Sequence, residues 1–419
     1  MRTLTCLLVP ITLIHKSINN SPIAQGPSAV PSNRLASRLA SRRMLFLFAL
    51  IMLPVLLACT RNIGDQSDGW NPPVSEDRVV YIGTKDGEIQ AVFDDGSGNI
   101  QEKWIFPSAQ GQGNLFGVYN TPLVVDGLVY VSAIDGFLYA LDKESGRLTG
   151  DGWKRPENPF IEPEPLVAGP AYDPTHDIIL APSEDGSLYA YTAKNGNEFW
   201  KPFRTGAAIW STPAVARGVA YFGSHDHKVY AVTLDDGDEL WSYETEGVVA
   251  GKPLVVAGKV IAGSFDKSLY ALTADEGVLE WTILGENWFW AGAVTDGNTI
   301  FAPNMDGNIY AIDLNGNLLW KHDVGSPIVS SPVLVPEGLV VAGKDGNLLL
   351  LDTRNKNLGL QRVLFNQKIG DSEIKAPLFA VGDSVFVGSE DKTVRRIEFR
   401  NGQRNVWCLH TRPDERCVN

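Results

Sequence analysis

Short apolar runs of strand length recur along most of the chain, each closed by a polar turn of similar chemistry. Runs such as Val79-Val80-Tyr81-Ile82-Gly83 and Val219-Ala220-Tyr221-Phe222-Gly223 are β-branched or aromatic, the residue types that favour strands. Each is followed by Asp-Gly-x-Leu-Tyr-Ala-Leu or a close variant, in copies that begin at Asp86, Asp135, Asp185, Asp226, Asp266, Asp306, Asp345 and Asp391. The spacings are 49, 50, 41, 40, 40, 39 and 46 residues, a period that points to propeller blades. Behind most copies a Gly turn leads to a Trp, so each unit predicts four short strands. In the fourth unit these are Thr212–Val215, Val219–Gly223, Lys228–Thr233 and Glu239–Tyr243. Asp226 and its equivalents fall between the second and third strands, where Asp-Gly supplies the positive φ of a two-residue hairpin. Pro73, Pro122, Pro170, Pro213, Pro253, Pro332 and Pro377 open their units, with Ala293 the exception. A strand start is where a missing N–H costs least.

Eight units of about 42 residues need about 340, and Cys59 to the C-terminus offers 361. The expected fold is therefore all-β: an eight-bladed propeller of four-stranded antiparallel blades over 73–407, followed by a tail, 408–419. The first 58 residues differ in kind, with six basic residues and no acid. Without them the formal charge moves from −13 to −19, which disfavours nucleic acid and anionic lipid as partners. Met44–Ala58 is 15 residues of apolar chain behind Arg42 and Arg43, short for a span of about 20 residues and matched to a signal-peptide core. Residues 1–58 thus read as a leader, whose true start can lie inside it. Leu56-Leu57-Ala58-Cys59 resembles a bacterial lipobox, which implies lipidation at Cys59 and a polar linker over 59–72. Ser41-Arg42-Arg43 also resembles a twin-arginine signal, while the strongly apolar core favours the general secretory route. Cys408 and Cys417 are left as a pair that can close the tail as a disulfide or remain two thiols.

The stretch Val74 to Trp407 resembles the quinoprotein-type, or PQQ-like, propeller repeat. Tyr189-Ala190 with Gly196 and Trp200, Tyr230-Ala231 with Gly237 and Trp241, Tyr270-Ala271 with Gly277 and Trp281, and Tyr310-Ala311 with Gly316 and Trp320 carry the resemblance. Trp104, Trp153 and Trp407 fill the slot in three further units, and unit seven has none. The resemblance implies that these tryptophans dock one blade on the next. With a lipobox ahead of eight blades, the layout is most similar to the lipoprotein scaffolds of the outer-membrane β-barrel assembly machine. That implies a non-enzymatic, monomeric propeller on the periplasmic face of the outer membrane, binding the assembly machine or unfolded barrel substrates. Such scaffolds resemble one another in a Leu-x-Leu-Arg and an Asp-x-Asp loop. Here those stretches read Ala207-Ala208-Ile209-Trp210 and Val248-Val249-Ala250-Gly251-Lys252, so the partner surface departs from the pattern. The same layout also suits a binding or sensor lipoprotein on the outer face of a single-membrane cell.

Quinoprotein dehydrogenases share the repeat and form the rival reading. Their sites resemble one another in adjacent cysteines, calcium ligands and an Asp base, and some add Cys-x-x-Cys-His. This chain has neither cysteine motif, and without that platform a quinone has little to activate it. The expectation is no enzyme, no PQQ and no Ca²⁺. His225-Asp226-His227 offers too few ligands for zinc and reads as a solvated turn, so no metal is expected. Binding is expected where the chain crosses from an outer strand to the next inner strand. Tyr119, Trp210, Trp288, Phe289 and Trp290 are the candidates there for an apolar floor around the channel mouth, and Lys252, Glu373 and Lys375 near the same entries are the candidates to orient a polar ligand.

Overall fold

Strand pairing follows sequence order within every blade. The computed structural model describes residues 70–107, 115–148, 153–156, 163–354, 359–370, 372–400, 404–412, 415 and 417. The expected leader, Cys59 and the linker as far as residue 69 lie outside the described residues. Eight sheets each pair four consecutive strands, antiparallel and in chain order. The blades span 73–106, 123–155, 171–204, 214–244, 254–284, 294–323, 333–368 and 379–410. The inner strand of blade 1, Pro73–Glu76, meets that of blade 8, Phe379–Val381, so the ring is closed.

Both faces of each blade lie against a neighbour, which explains the unbroken apolar runs. Val80, Ile82 and Val92 of blade 1 pack on Phe386, Val394 and Trp407 of blade 8, while Tyr81 and Trp104 face Val129, Val131 and Tyr139 of blade 2. Alternate residues of one strand therefore serve two different cores, and the interior is a set of slabs between blades.

The repeat motif has a further physical reason. The loop between the second and third strands runs over residues 224–227 in blade 4, with Gly223 paired to Val229 as the last rung, so the expected two-residue hairpin is replaced by a longer turn. Positive φ falls on the residue after the Asp: +81° at Gly136, +69° at His227, +76° at Lys267 and +67° at Lys392. The Asp itself is a clasp. Asp226 Oδ1 accepts the Lys228 N–H at 3.2 Å, and Oδ2 accepts the Tyr230 hydroxyl at 2.6 Å and the Gly206 N–H of the preceding loop at 2.7 Å. Asp266 repeats this with Tyr270 at 2.8 Å and Glu246 N–H at 2.9 Å.

The Ala after that Tyr faces the tryptophan on the outer strand, as in Ala231 opposite Trp241, and a bulge follows at once. Trp241 then reaches into blade 5, where its Nε1 donates to Ala274 O at 3.0 Å. A Cβ on Gly277 would lie 2.6 Å from its ring, so glycine is required there by space as well as by a φ of +68°. Trp104, Trp153, Trp200 and Trp281 sit in the same way over Gly146, Gly196, Gly237 and Gly316. Trp320 lies instead under the Arg362 guanidinium, 3.8 Å from the ring centroid. In blade 7 the slot opposite Leu350 holds Phe365, which meets Phe399 of blade 8 edge-on at 5.7 Å. Trp407 docks blade 8 on blade 1, its Nε1 donating to Asp94 Oδ2 at 2.9 Å.

Three boundaries differ from expectation, and one of them is the outer strand of the fourth unit, which runs Glu239–Glu244, one residue past Tyr243. The fourth inner strand is Ala214–Ala216, because Thr212 belongs to the loop, its hydroxyl accepting the Gly169 N–H at 3.0 Å. The outer strand of blade 8 runs Arg404–His410, past the expected end at 407. Cys408 on that strand is disulfide-bonded to Cys417.

Candidate functional site at the channel mouth

Each loop between blades threads between the turns of the two blades it joins. In loop 245–252, Val248 O accepts the Phe265 N–H of blade 5 at 2.9 Å and the Val249 N–H donates to Ser224 O of blade 4 at 3.2 Å. Loop 285–292 repeats this, with Met305 N–H to Trp288 O at 2.9 Å and Phe289 N–H to Ser264 O at 3.2 Å. The middle residue of such a loop turns inward. Ile209, Val249 and Phe289 are nearly inaccessible, and a Cβ on Gly223 or Gly263 would collide with Val249 or Phe289. Phe289 is therefore core, stacked edge-on against Tyr310, and does not belong to the binding loop expected from sequence.

Its neighbours on either side stay at the surface. Trp288, 38% exposed, stacks on Phe265 with centroids 4.5 Å apart and planes at 5°. Trp290 stacks on the same ring at 5.0 Å and 17°, so Phe265 lies between two indoles. Trp290 continues to Trp210 at 6.4 Å, and Trp210 meets His225 edge-on at 4.3 Å while its Nε1 donates to Glu184 Oε1 at 2.8 Å. The result is an aromatic arc over blades 4 to 6. His225 is held there rather than in a solvated turn, and burial lowers its pKa, with His227 adding to the effect. Among the described residues no group of three His, Cys, Asp or Glu is placed to hold a metal ion.

The opposite arc is ionic. Lys375 pairs with Glu373 at 2.8 Å and Glu390 at 2.5 Å, and Lys344 with Glu373 at 3.4 Å. Between the arcs the central channel holds a cavity of about 550 Å³, within the size range of small-ligand sites. Of the eight candidate positions, Trp210, Lys252, Trp290 and Lys375 line it. Trp288 does not line it, and Tyr119 packs edge-on against Trp70 at 5.1 Å, with Trp70 facing the cavity.

Phe265 was not singled out by sequence. It precedes the Asp of its repeat, where the other blades carry Lys85, Ile134, Glu184, His225, Met305, Lys344 and Glu390. A position this variable inside a regular repeat was the available signal.

A closed ring of eight four-stranded blades with the Tyr-Ala and Gly-to-Trp repeat defines a propeller of the PQQ-like repeat class. The family model described as outer membrane protein assembly factor BamB matches residues 65–202 and 184–407, and the chain belongs to that family. It is 27% identical over 196 residues to outer membrane protein assembly factor BamB of Nitrosomonas eutropha, covering 47% of this chain and 44% of that protein. Against the Salmonella typhimurium protein of the same name it is 27% identical over 177 residues, 40% and 41% of the two chains. This chain thus spans less than half the length of these curated relatives. The solved structure of BamB from Moraxella catarrhalis superposes with a TM-score of 0.62 at 15% identity, covering 81% of this chain and 97% of that one, a likeness of fold.

Proposed function

We propose that the protein is an exported, lipid-anchored scaffold in outer-membrane β-barrel protein assembly, holding a protein partner through the aromatic arc. The observation that carries this reading is the family match, which runs through nearly the whole propeller. The arc supports it by its chemistry. Trp210, Trp288 and Trp290, the last two braced by the Phe265 ring between them, offer apolar area on a surface clamped by backbone hydrogen bonds, which lowers the entropy cost of contact. In this reading Cys59 carries the lipid, the protein works as a binding module rather than an enzyme, and no cofactor is called for.

The test is cross-linking in native membranes, then affinity recovery and mass spectrometry, with a Trp288→Ala/Trp290→Ala variant alongside. Recovery of an outer-membrane barrel insertase, reduced in the variant, is the expected result. If only cell-wall, secreted or signalling proteins are recovered, barrel assembly is discarded in favour of a general surface-binding role. Acyl labelling that persists in a Cys59→Ser variant would remove the lipid anchor from the reading.

A further inference from the structure

Six consecutive blades, 2 to 7, place the same repeat position on the channel wall, just ahead of the opening Pro or Ala. Five of these residues are small: Thr121, Gly169, Thr212, Gly292 and Ser331. The sixth is Lys252. Gly292 gives the lysine room, since a Cβ there would lie 2.9 Å from Lys252 O and 3.5 Å from Lys252 Cβ. Thr212 Oγ1 accepts the Gly169 N–H at 3.0 Å and Ser331 Oγ the Gly292 N–H at 3.1 Å, so each hydroxyl keeps its own proton for another acceptor.

Lys252 differs from the other charges of the lining in having no ionic or hydrogen-bonding partner among the described residues. Glu76 is held by Lys143 at 2.8 Å, and Lys375 by Glu373 and Glu390. Lys252 is exposed to the channel, and the protein wall around that channel lets an unpaired ammonium attract an anion with less screening than on an open surface. Trp210 and Trp290 line the same cavity and present apolar faces beside that charge.

We infer that the central channel is a binding site for a small molecule with a flat apolar body and one carboxylate-type anion, held by Lys252 and the hydroxyls of Thr212 and Ser331. This function goes beyond scaffolding and does not depend on it. The surrounding channel wall desolvates Lys252 and lowers its pKa, although the residue stays exposed to the channel, so affinity for an anion falls as pH rises through that lowered pKa. Among the described residues the other ionisable groups at or beside the channel are the ion-paired Glu76, Lys375, Glu373, Glu390 and Lys344, with Glu184, which accepts from Trp210, and His225, which lies against Trp210.

The probes are 8-anilinonaphthalene-1-sulfonate and its uncharged analogue N-phenyl-1-naphthylamine, read by energy transfer from tryptophan in the purified protein. Lys252→Met is expected to weaken the anionic probe about tenfold or more, as for loss of a hydrogen bond to a charged group, and to leave the neutral one unchanged. The thermal midpoint should not fall, because the substitution removes an unpaired charge. In the wild type, saturating sulfonate probe should slow acetylation of Lys252 as mapped by mass spectrometry. Equal affinity of the sulfonate for both proteins, or unprotected Lys252, would overturn the proposal. Displacement of the probe by phenylacetate supports a free small acid. Displacement only by a peptide with a free C-terminal carboxylate, and not by its amide, would replace the small molecule with a chain terminus.

Discussion

Blades 4 and 5 meet by different chemistry from blades 8 and 1. At the regular interface Trp241 slides over Gly277, and Asp266 accepts a backbone N–H from the incoming loop. At the closing seam the same two motif positions become ionic. Asp86, the blade 1 counterpart of Asp266, binds Lys392 at 2.5 Å and Arg412 at 2.8 Å. Trp407 donates to a buried carboxylate, Asp94, which also takes Arg396 at 2.7 Å. Where a loop joins two blades, the chain keeps them adjacent and fitted surfaces suffice. Blades 8 and 1 have no such loop between them, and charge fixes their register. Asp86 and Asp135 show the difference at one motif position. Hydrogen bonding to Arg412 and the nearby Lys392 lower Asp86 to about 2, whereas burial raises Asp135 to about 6.

The largest effect should come from Asp94→Ala, which leaves the half-buried Arg396 and the Trp407 Nε1 without their acceptor. A loss of about 3–5 kcal/mol is expected in denaturant unfolding. Asp226→Ala should cost about 1–3 kcal/mol, because water can reach the groups it frees. Equal losses would break the contrast between seam and interface.

Acidity separates the two turn aspartates next. Asp135 binds its proton more tightly folded than unfolded, so its contribution is present at low pH and is lost as pH rises through about 6. The loss is up to about 3 kcal/mol, and Asp135→Asn should flatten the stability profile between pH 4 and 6. Asp86 has the opposite sign. Its contribution is full above pH 4 and disappears as pH falls toward 2. Since its side chain is about one-third exposed, the amplitude is on the order of 1 kcal/mol, and Asp86→Asn should remove it. Identical acid limbs for wild type and Asp86→Asn would show that the seam ion pairs contribute nothing to closure.

The fold was legible because its signals are local and repeated. An Asp that bonds a Tyr four residues on, and an Ala that faces a Trp, recur with every blade. The disulfide between Cys408 and Cys417 was open in sequence, since a pair of cysteines does not by itself say whether it bonds. Phe365 escaped notice because a phenylalanine does the work of tryptophan in blade 7. Phe289 was misplaced because the loop around it is irregular, and alternation of faces cannot be counted through such a segment. Lys252 was visible as the long residue in a row of small ones, but its lack of a partner was not. The seam could not be read, since Asp94 and Trp407 stand 313 residues apart.

That distance orders events during synthesis. Asn71 is buried with its side-chain amide donating to Ser389 O at 2.8 Å, and Asp94 waits for Arg396 and Trp407. A chain made from its N-terminus therefore carries these polar groups unmatched until the last blade has emerged. Blade 8 takes its outer strand, Arg404–His410, from the far end of the chain, so the buried polar groups of blade 1 at the seam meet their partners only when that last blade arrives.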